Sequence, residues 1–136
     1  MYKRQTSGIG EAAAVHLSQQ GARVVASGRR EERLQTLAAR LPSPHLTIPL
    51  DVADETAVFS SAKRITEAFG RIDVLVHSAG LNITERSWDE ITPSGWNEVI
   101  QVDLNGAFYC NQAVLPVMRD QKDGLCLLYT SPSPRD

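Results

Sequence analysis

The sequence predicts an α/β fold in which helices cover both faces of a parallel sheet. Helical and strand patterns alternate in the order α-β-α-β-α-β-α, with short connections between them. Such alternation implies right-handed crossovers between parallel strands. A glycine-rich turn at residues 6–10 directly precedes the first helix, and no strand pattern comes before it. We therefore expect the N-terminal part of a doubly wound fold that is truncated at both ends and lacks its opening strand.

Four helices are predicted from the spacing of apolar residues and from the residues at their ends. Gly21 and Gly70 are typical of the position after a helix, and Pro42 ends the second helix. Thr92 followed by Pro93 is typical of a helix start. The predicted helices span residues 11–20, 31–41, 56–69 and 93 to about 119.

Three strands are predicted between these helices, at residues 22–27, 46–50 and 72–77. The second is weakened by Pro49, which cannot donate to a ladder. The third is apolar at nearly consecutive positions, as expected of a strand that is covered on both faces. The sequence thus predicts a three-stranded parallel core.

Both ends of the sequence match a sequencing artefact. Residues 126–136 match the translation of a transposon-end adapter used in library preparation. Residues 1–5 match the reverse complement of the same end, with gtg read as a start codon. Segments of this kind are set aside before the fold is considered. We predict that residues 6–125 are the biological segment and that residues 1–5 and 126–136 are non-native and unpacked.

Composition excludes several classes of protein. The chain is 42% apolar and 22% charged, as in one soluble globular domain or less. A net charge of −2 without a basic face gives no sign of nucleic-acid binding. No apolar run approaches a membrane span, so we expect no membrane partner. Cys110 is the single cysteine of the predicted native segment, which allows no internal disulfide and favours the cytoplasm. We expect its thiol to be buried and inert.

The glycine turn predicts a phosphate site formed by Ser7, Gly8, Ile9 and Gly10. Glycines permit a tight turn and let backbone N–H groups approach a pyrophosphate, whose charge the helix N-terminus favours. Taken alone, the same pattern is also compatible with an ordinary turn before a helix.

Five segments, in this order, resemble the short-chain dehydrogenase/reductase family. They are Thr-Ser-Gly-Ile-Gly-Glu-Ala-Ala-Ala, Gly-Ala-Arg-Val-Val, Gly-Arg-Arg, Leu-Asp-Val and Val-Leu-Val-His-Ser-Ala-Gly, at residues 6–14, 21–25, 28–30, 50–52 and 74–80. The resemblance covers essentially all of residues 6–125. It implies a Rossmann fold and hydride transfer between a nicotinamide cofactor and a small-molecule carbonyl or secondary alcohol. Within the family, the chain resembles members that are like 3-oxoacyl-carrier-protein reductases or broad carbonyl reductases. The resemblance also implies a homo-oligomeric parent, a dimer or a tetramer.

The family's opening turn is only partly present. Its pattern, Thr-Gly-x-x-x-Gly-x-Gly, survives here as Gly8, Ile9 and Gly10. Lys3, Arg4 and Gln5 stand where the leading threonine and glycine are expected. We therefore expect a half-built phosphate cradle.

The residues after the first strand predict NADP(H) in preference to NAD(H). Gly28 stands where NAD-binding units usually carry an acid, and Arg29 and Arg30 follow. A guanidinium can hold a 2′-phosphate with two parallel hydrogen bonds, whereas a carboxylate would repel it. The alternative is that both arginines form the solvated start of the next helix.

Asp51 and Val52 follow the second strand and match the family's Asp-Val pair. The resemblance implies that Asp51 contacts the adenine amino group and that Val52 packs near the ring. An ordinary turn aspartate is the alternative.

The third strand ends in His77-Ser78-Ala79-Gly80, where the family usually has Asn-Asn-Ala-Gly. The resemblance implies that Ala79 and Gly80 let the adenine ribose approach the backbone. Ser78 departs from the motif but can still donate and accept a hydrogen bond. We interpret His77 as a structural histidine with satisfied hydrogen bonds.

The family's catalytic serine and Tyr-x-x-x-Lys motif cannot be placed in this chain. Tyr109 has no lysine four residues on, and Tyr129 has Ser133 there. Asp103 stands where the family carries a helical asparagine that helps to bind a proton-relaying water. A carboxylate directed at a core is costly unless it is paired, which favours a functional role for Asp103. Helical spacing aligns it with apolar positions Ile100, Ala107, Cys110 and Val114.

These observations predict a cytoplasmic NADP(H)-dependent oxidoreductase, of which this chain is an inactive part. The first alternative is a non-catalytic nucleotide sensor with the same fold. The second is an unrelated nucleotide-binding enzyme such as a methyltransferase, which would lack the Asp-Val and Ala-Gly pairs. Substrate identity is not encoded in this part of the chain.

Overall fold

The computed structural model describes residues 8–85 and 87–128, and it confirms the predicted α/β alternation. Helices and parallel strands follow one another along these residues, with the long fourth helix divided into three parts. The elements are α1 (Ile9–Gln19), β1 (Val24–Gly28), α2 (Glu31–Ala38), β2 (His45–Pro49), α3 (Glu55–Phe69), β3 (Val74–His77), α4 (Pro93–Val99), a π-helical segment (Ile100–Asn105), α5 (Gly106–Gln121) and β4 (Leu125–Leu128).

Most helix ends lie close to their predicted positions, but α2 ends at Ala38, ahead of the predicted end at Pro42. Gly21 and Gly70 have φ angles of 90° and 75°, a left-handed conformation that glycine adopts without steric cost. The side chain of Asp54 accepts a hydrogen bond from the backbone N–H of Ala57, and that of Thr92 accepts one from Gly95, each at 3.0 Å. Asp54 therefore caps α3.

The strands form two parallel pairs, so the predicted three-stranded core is wrong. β1 pairs with β2, β3 pairs with β4, and no ladder joins β1 to β3 within the described residues. Residues 126–128, expected to be unpacked, belong to β4, because an apolar run directly after α5 can pair with β3. Leu127 and Leu128 nevertheless remain about half exposed, at 52% and 51%. Residues 1–5 and 129–136 lie outside the described residues, and their non-native origin stays a prediction.

Some of the buried apolar residues form two clusters, one beside each pair of strands. α2 packs on β1 in the first, and α5 packs beside β3 in the second. Val74 is 49% exposed, so the expectation that this strand is covered on both faces is wrong at its start. The clusters comprise Ala26, Leu34, Leu37 and Leu41, and Ile72, Val114 and Met118.

α5 is held at both ends by specific contacts. At its start, a Cβ built on Gly106 would lie 2.7 Å from Val52 Cγ2, so only glycine allows this approach. At its end, Gln121 Nε2 donates to the Ile72 carbonyl at 2.8 Å, and Gln121 Oε1 accepts from the Ile72 N–H at 2.9 Å. The side-chain amide thus pairs with backbone as a neighbouring strand would. None of the helices in residues 8–85 and 87–128 combines the length and apolar character needed to cross a bilayer.

Candidate functional site

A cavity of about 520 Å³ lies between β1 and β3. Every residue of both strands contributes to its wall. We call the part of its wall at the carboxyl ends of these strands the mouth, because open α/β sheets bind ligands at that edge. Most of the predicted binding residues line it, namely Gly10, Arg29, Arg30, Asp51, Val52, Ser78, Ala79 and Gly80.

The remaining predicted residues of the glycine turn are placed differently. Gly8 precedes α1, and its carbonyl accepts the N–H of Ala12 at 3.0 Å. Neither Gly8 nor the half-exposed Ile9 belongs to the cavity wall. Ser7 lies outside the described residues. Only Gly10 of the turn therefore meets the cavity in the part of the chain that the structure describes.

The start of α1 lies directly against the turn after β3. A Cβ built on Gly10 would lie 2.2 Å from Ser78 Oγ. Any larger residue would displace the serine hydroxyl, so glycine here keeps the helix N-terminus open towards the cavity. Separate motifs predicted these two residues, and the structure brings them together.

Arg29 and Asp51 meet across the cavity mouth. Arg29 Nη1 lies 4.0 Å from Asp51 Oδ2, and both side chains are about half exposed. Asp51 Oδ1 also accepts the N–H of Ala53 at 3.0 Å, which fixes the carboxylate within its own turn. Arg30 is the N-cap residue of α2. The loose ion pair leaves the guanidinium able to contact a further anion.

Two contacts with the long helix hold the Asp51 turn, and neither was predicted from the sequence. Gln101 Nε2 donates to the Ala53 carbonyl at 3.1 Å. Gly106 admits Val52 closely against the long helix. No local pattern indicates either contact, since each joins residues about fifty positions apart in the chain.

His77 is buried, but its interpretation as a satisfied histidine is wrong. Its Nε2 has no hydrogen-bond partner among the described residues. Burial lowers the pKa of His77, and the negative charge of Asp103 opposes that shift only in part. The imidazole is therefore neutral near pH 7. His77 is also one of the residues that line the cavity.

Asp103 does not face the core as predicted. Its side chain is exposed, and Oδ1 accepts the N–H of the buried Leu81 at 2.6 Å. The π-helical segment explains the difference, because its wider turn rotates Asp103 away from the apolar stripe expected of a regular α-helix. The Asp103 carboxylate thus holds the loop that follows Gly80. A Cβ built on Gly80 would lie 3.7 Å from Asp103 Oδ1.

Cys110 is buried, as expected. Burial raises the pKa of its thiol to about 11, so the thiolate is scarce at neutral pH. Within the described residues, no group of His, Cys, Asp and Glu side chains could hold a metal ion.

The family model described as enoyl-(acyl carrier protein) reductase matches residues 4–133. An uncharacterized oxidoreductase of Staphylococcus epidermidis is 37% identical over 119 residues, which make up 88% of this chain and 51% of that protein. The chain thus spans about half the length of the curated relatives it matches.

Solved structures show the same fold. A 3-ketoacyl-ACP reductase from Sinorhizobium meliloti superposes with a TM-score of 0.87 and 28% identity, over 92% of this chain and 50% of that one. A metagenomic short-chain oxidoreductase in complex with NADP has a TM-score of 0.84 and 29% identity, over 95% of this chain and 59% of that one.

Proposed function

The chain belongs to the short-chain dehydrogenase/reductase family, and on that premise we propose that it is the nucleotide-binding part of an oxidoreductase. The enzyme would transfer hydride between a nicotinamide cofactor and a small carbonyl or secondary alcohol. The observation that carries the proposal is the meeting of four separate turns at one cavity mouth, through Gly10, Arg29, Asp51 and Ser78.

The contact between Gly10 and Ser78 supports a phosphate group at the mouth. A Cβ on Gly10 would fill the space beside the serine hydroxyl, so glycine keeps the backbone accessible. The N-terminus of α1 favours negative charge there. The nicotinamide of a bound cofactor would supply the hydride chemistry, which amino-acid side chains cannot provide.

We propose that Arg29 reads the 2′-phosphate of NADP(H). Its guanidinium is half exposed at the mouth, and its distance of 4.0 Å from Asp51 leaves donors for a second anion. Arg30, at the start of α2, would add positive charge nearby. The position before them is Gly28, so β1 does not itself end in a carboxylate that would repel a phosphate.

The remaining cavity residues would hold the adenosine. Asp51, fixed by its own turn, would accept from the adenine amino group, and Val52 would pack against the ring. Ala79 and Gly80 would let the ribose approach the backbone. Asp103 would act as a positioning residue, because its carboxylate holds the loop after Gly80 through the Leu81 N–H.

We propose that the catalytic serine and the Tyr-x-x-x-Lys motif belong to the part of the full-length protein that this chain does not cover. The chain alone is then expected to show no turnover. We further propose a cytoplasmic homo-oligomer, dimer or tetramer. The free thiols of Cys110 and Cys126 agree with a reducing compartment.

The proposal is tested in the full-length protein that contains this chain. The purified protein is expected to oxidise NADPH in the presence of one or more members of a panel of aldehydes and ketones. The reaction is measured as the loss of NADPH absorbance. Arg29→Asp is expected to weaken NADPH binding at least about tenfold, or about 1.4 kcal/mol, and to leave NADH binding little changed. The expected loss of NADPH binding is set at this modest level because solvent screens the charge of the half-exposed Arg29 side chain.

Arg64→Asp is the matched control for this change. This substitution makes the same change of charge on the exposed surface of α3, away from the cavity wall. Equal losses of NADPH and NADH binding in Arg29→Asp would show that Arg29 does not read the 2′-phosphate. No carbonyl-dependent oxidation by the full-length protein would contradict the proposed reaction.

A further inference from the structure

The two tryptophans of the chain lie next to each other on its surface. Trp88 is 90% exposed and Trp96 is 49% exposed, although tryptophan is on average a highly buried residue. Their rings stack with centroids 6.5 Å apart and with planes inclined by 27°. Neither residue belongs to the wall of the cavity between β1 and β3. We define this pair of rings as the tryptophan patch.

Local hydrogen bonds order the backbone that carries the tryptophan patch. The Ser87 carbonyl accepts from the N–H groups of Glu90 and Ile91, at 3.0 and 2.9 Å, and the Ser87 hydroxyl donates to Glu90 Oε2 at 2.7 Å. The N–H of Trp96 donates to the Thr92 carbonyl at 2.9 Å, in the first turn of α4. Both rings therefore stand on ordered backbone, which lowers the entropic cost of binding a partner.

The chain around the tryptophan patch is strongly acidic. Residues 72–118, which we define as the acidic segment, contain six acidic residues and one basic residue, so their formal charge is −5 whereas that of the whole chain is −2. The basic residue, Arg86, lies outside the described residues. Exposed carboxylates flank both tryptophans in the chain, at Glu85, Asp89, Glu90 and Glu98. The tryptophan patch is therefore in a field that attracts cations.

The exposure of the rings and the charge around them indicate the kind of partner. Small molecules bind in concave pockets, whereas the 90% exposure of Trp88 places its ring on open surface. Tryptophan and arginine side chains are enriched at the centres of protein interfaces. The guanidinium of arginine is planar and cationic, so it stacks on an indole face and also pairs with carboxylates.

We propose that the tryptophan patch binds an arginine-containing basic segment of a partner protein. This inference does not depend on the proposed enzymatic function. Guanidinium groups of the partner stack on the indoles of Trp88 and Trp96, and the exposed carboxylates of Asp89 and Glu98 attract them. Charge complementarity selects a basic partner, because an acidic one would be repelled by the acidic segment.

The test uses the tryptophan fluorescence of the full chain. Because Trp88 and Trp96 are its two tryptophans, the emission reports directly on the patch. The probe is a blocked peptide, Arg-Gly-Arg-Gly-Arg, and its control carries citrulline, a neutral residue of nearly the same shape, at each arginine position. The arginine peptide is expected to change the emission saturably and to bind at least about tenfold more tightly than the citrulline peptide. Added salt should reduce this difference, since it screens exposed charges.

Ionic quenchers measure the charge around the patch without any peptide. Caesium ions are expected to quench the tryptophan emission more strongly than iodide ions do, relative to their effects on free tryptophan amide. The reason is that the exposed carboxylates raise the local concentration of cations and lower that of anions.

A pair of chain variants provides a further readout. Trp88→Leu removes a ring that is 90% exposed, so it removes little buried area and the fold should persist. It is expected to weaken binding of a labelled arginine peptide at least about threefold, measured by fluorescence anisotropy. Phe59→Leu is the matched control, because Phe59 is an aromatic residue that is 43% exposed on α3, outside the acidic segment. It is expected to leave binding unchanged.

Four outcomes would overturn the proposal. One is that the arginine peptide binds no more tightly than the citrulline peptide, and another is that Trp88→Leu binds the arginine peptide as the unaltered chain does. Relative quenching by iodide that equals or exceeds that by caesium would show that the patch is not in a negative field. A change in emission that rises with chain concentration, without peptide, would show that a second copy of the chain covers the patch.

Discussion

Replacement of Gly10 by alanine tests the closest approach in the site. A Cβ built there lies 2.2 Å from Ser78 Oγ but 3.5 Å from Ser78 Cβ. The hydroxyl would have to leave its position, and overpacking of this kind costs about 1–3 kcal/mol. Alanine also reduces the freedom of the unfolded chain, which stabilises by about 0.4–1 kcal/mol. We expect Gly10→Ala to lower the free energy of unfolding by up to about 2.6 kcal/mol.

Removal of the hydroxyl is expected to reverse that sign. In the Ser78→Ala protein, the atom nearest to a Cβ at position 10 is the Cβ of residue 78, at an ordinary contact distance of 3.5 Å. Gly10→Ala in this background is then expected to stabilise by about 0.4–1 kcal/mol. The two substitutions should therefore be coupled by about 1–3 kcal/mol.

The coupling is measured by urea unfolding of the four proteins of the cycle, followed by circular dichroism. Gly28→Ala is the control, because a Cβ there has no atom within 4 Å. Its coupling to Ser78→Ala should be near zero. A Gly10–Ser78 cycle that is additive within about 0.3 kcal/mol would refute the contact and the steric argument for this glycine.

Two further predictions follow from burial. Because burial lowers the pKa of folded His77 below the unfolded value of about 6.5, the unfolded state takes up its proton first as pH falls. Stability should therefore decrease as pH falls below about 6.5, and His77→Gln should flatten this dependence in urea unfolding. A gain in stability on acidification would contradict the lowered pKa of His77. Cys126 is exposed and Cys110 is buried with a pKa of about 11, so a thiol reagent should modify one thiol quickly and the other only on unfolding. Cys126→Ser should remove the fast phase of modification, and Cys110→Ser should keep it. Equal rates for the two thiols in the folded chain would contradict this prediction.

The helix boundaries and the elements that form the site were predictable because they depend on local chemistry. Gly21 and Gly70 end helices through their left-handed conformation, and Thr92 begins one through its hydroxyl. The motif at residues 78–80 was assigned to a turn after a strand, which is where it lies. These features involve neighbours within a few positions, and the sequence displays such neighbours directly.

The features that were missed depend on long-range packing. Whether β1 and β3 share a ladder depends on what lies between them, and no periodic pattern reports that. The π-helical turn redirects Asp103 by a change in hydrogen bonding that a helical projection assumes to be constant. The unpaired Nε2 of His77 likewise reflects the surroundings that the fold creates, since a lone histidine in an apolar strand usually finds a partner.

The two attachments of α5 restrict how the length of this region can vary among homologous sequences. Gly106 is pressed against Val52, Gln121 is paired with the Ile72 backbone, and the helix between them rises about 22 Å. A one-residue insertion inside this span would rotate the Gln121 amide by about 100° and break its two hydrogen bonds. The π-helical segment before Gly106 already accommodates an extra residue per turn. Insertions and deletions should therefore accumulate ahead of Gly106 and be excluded between it and Gln121.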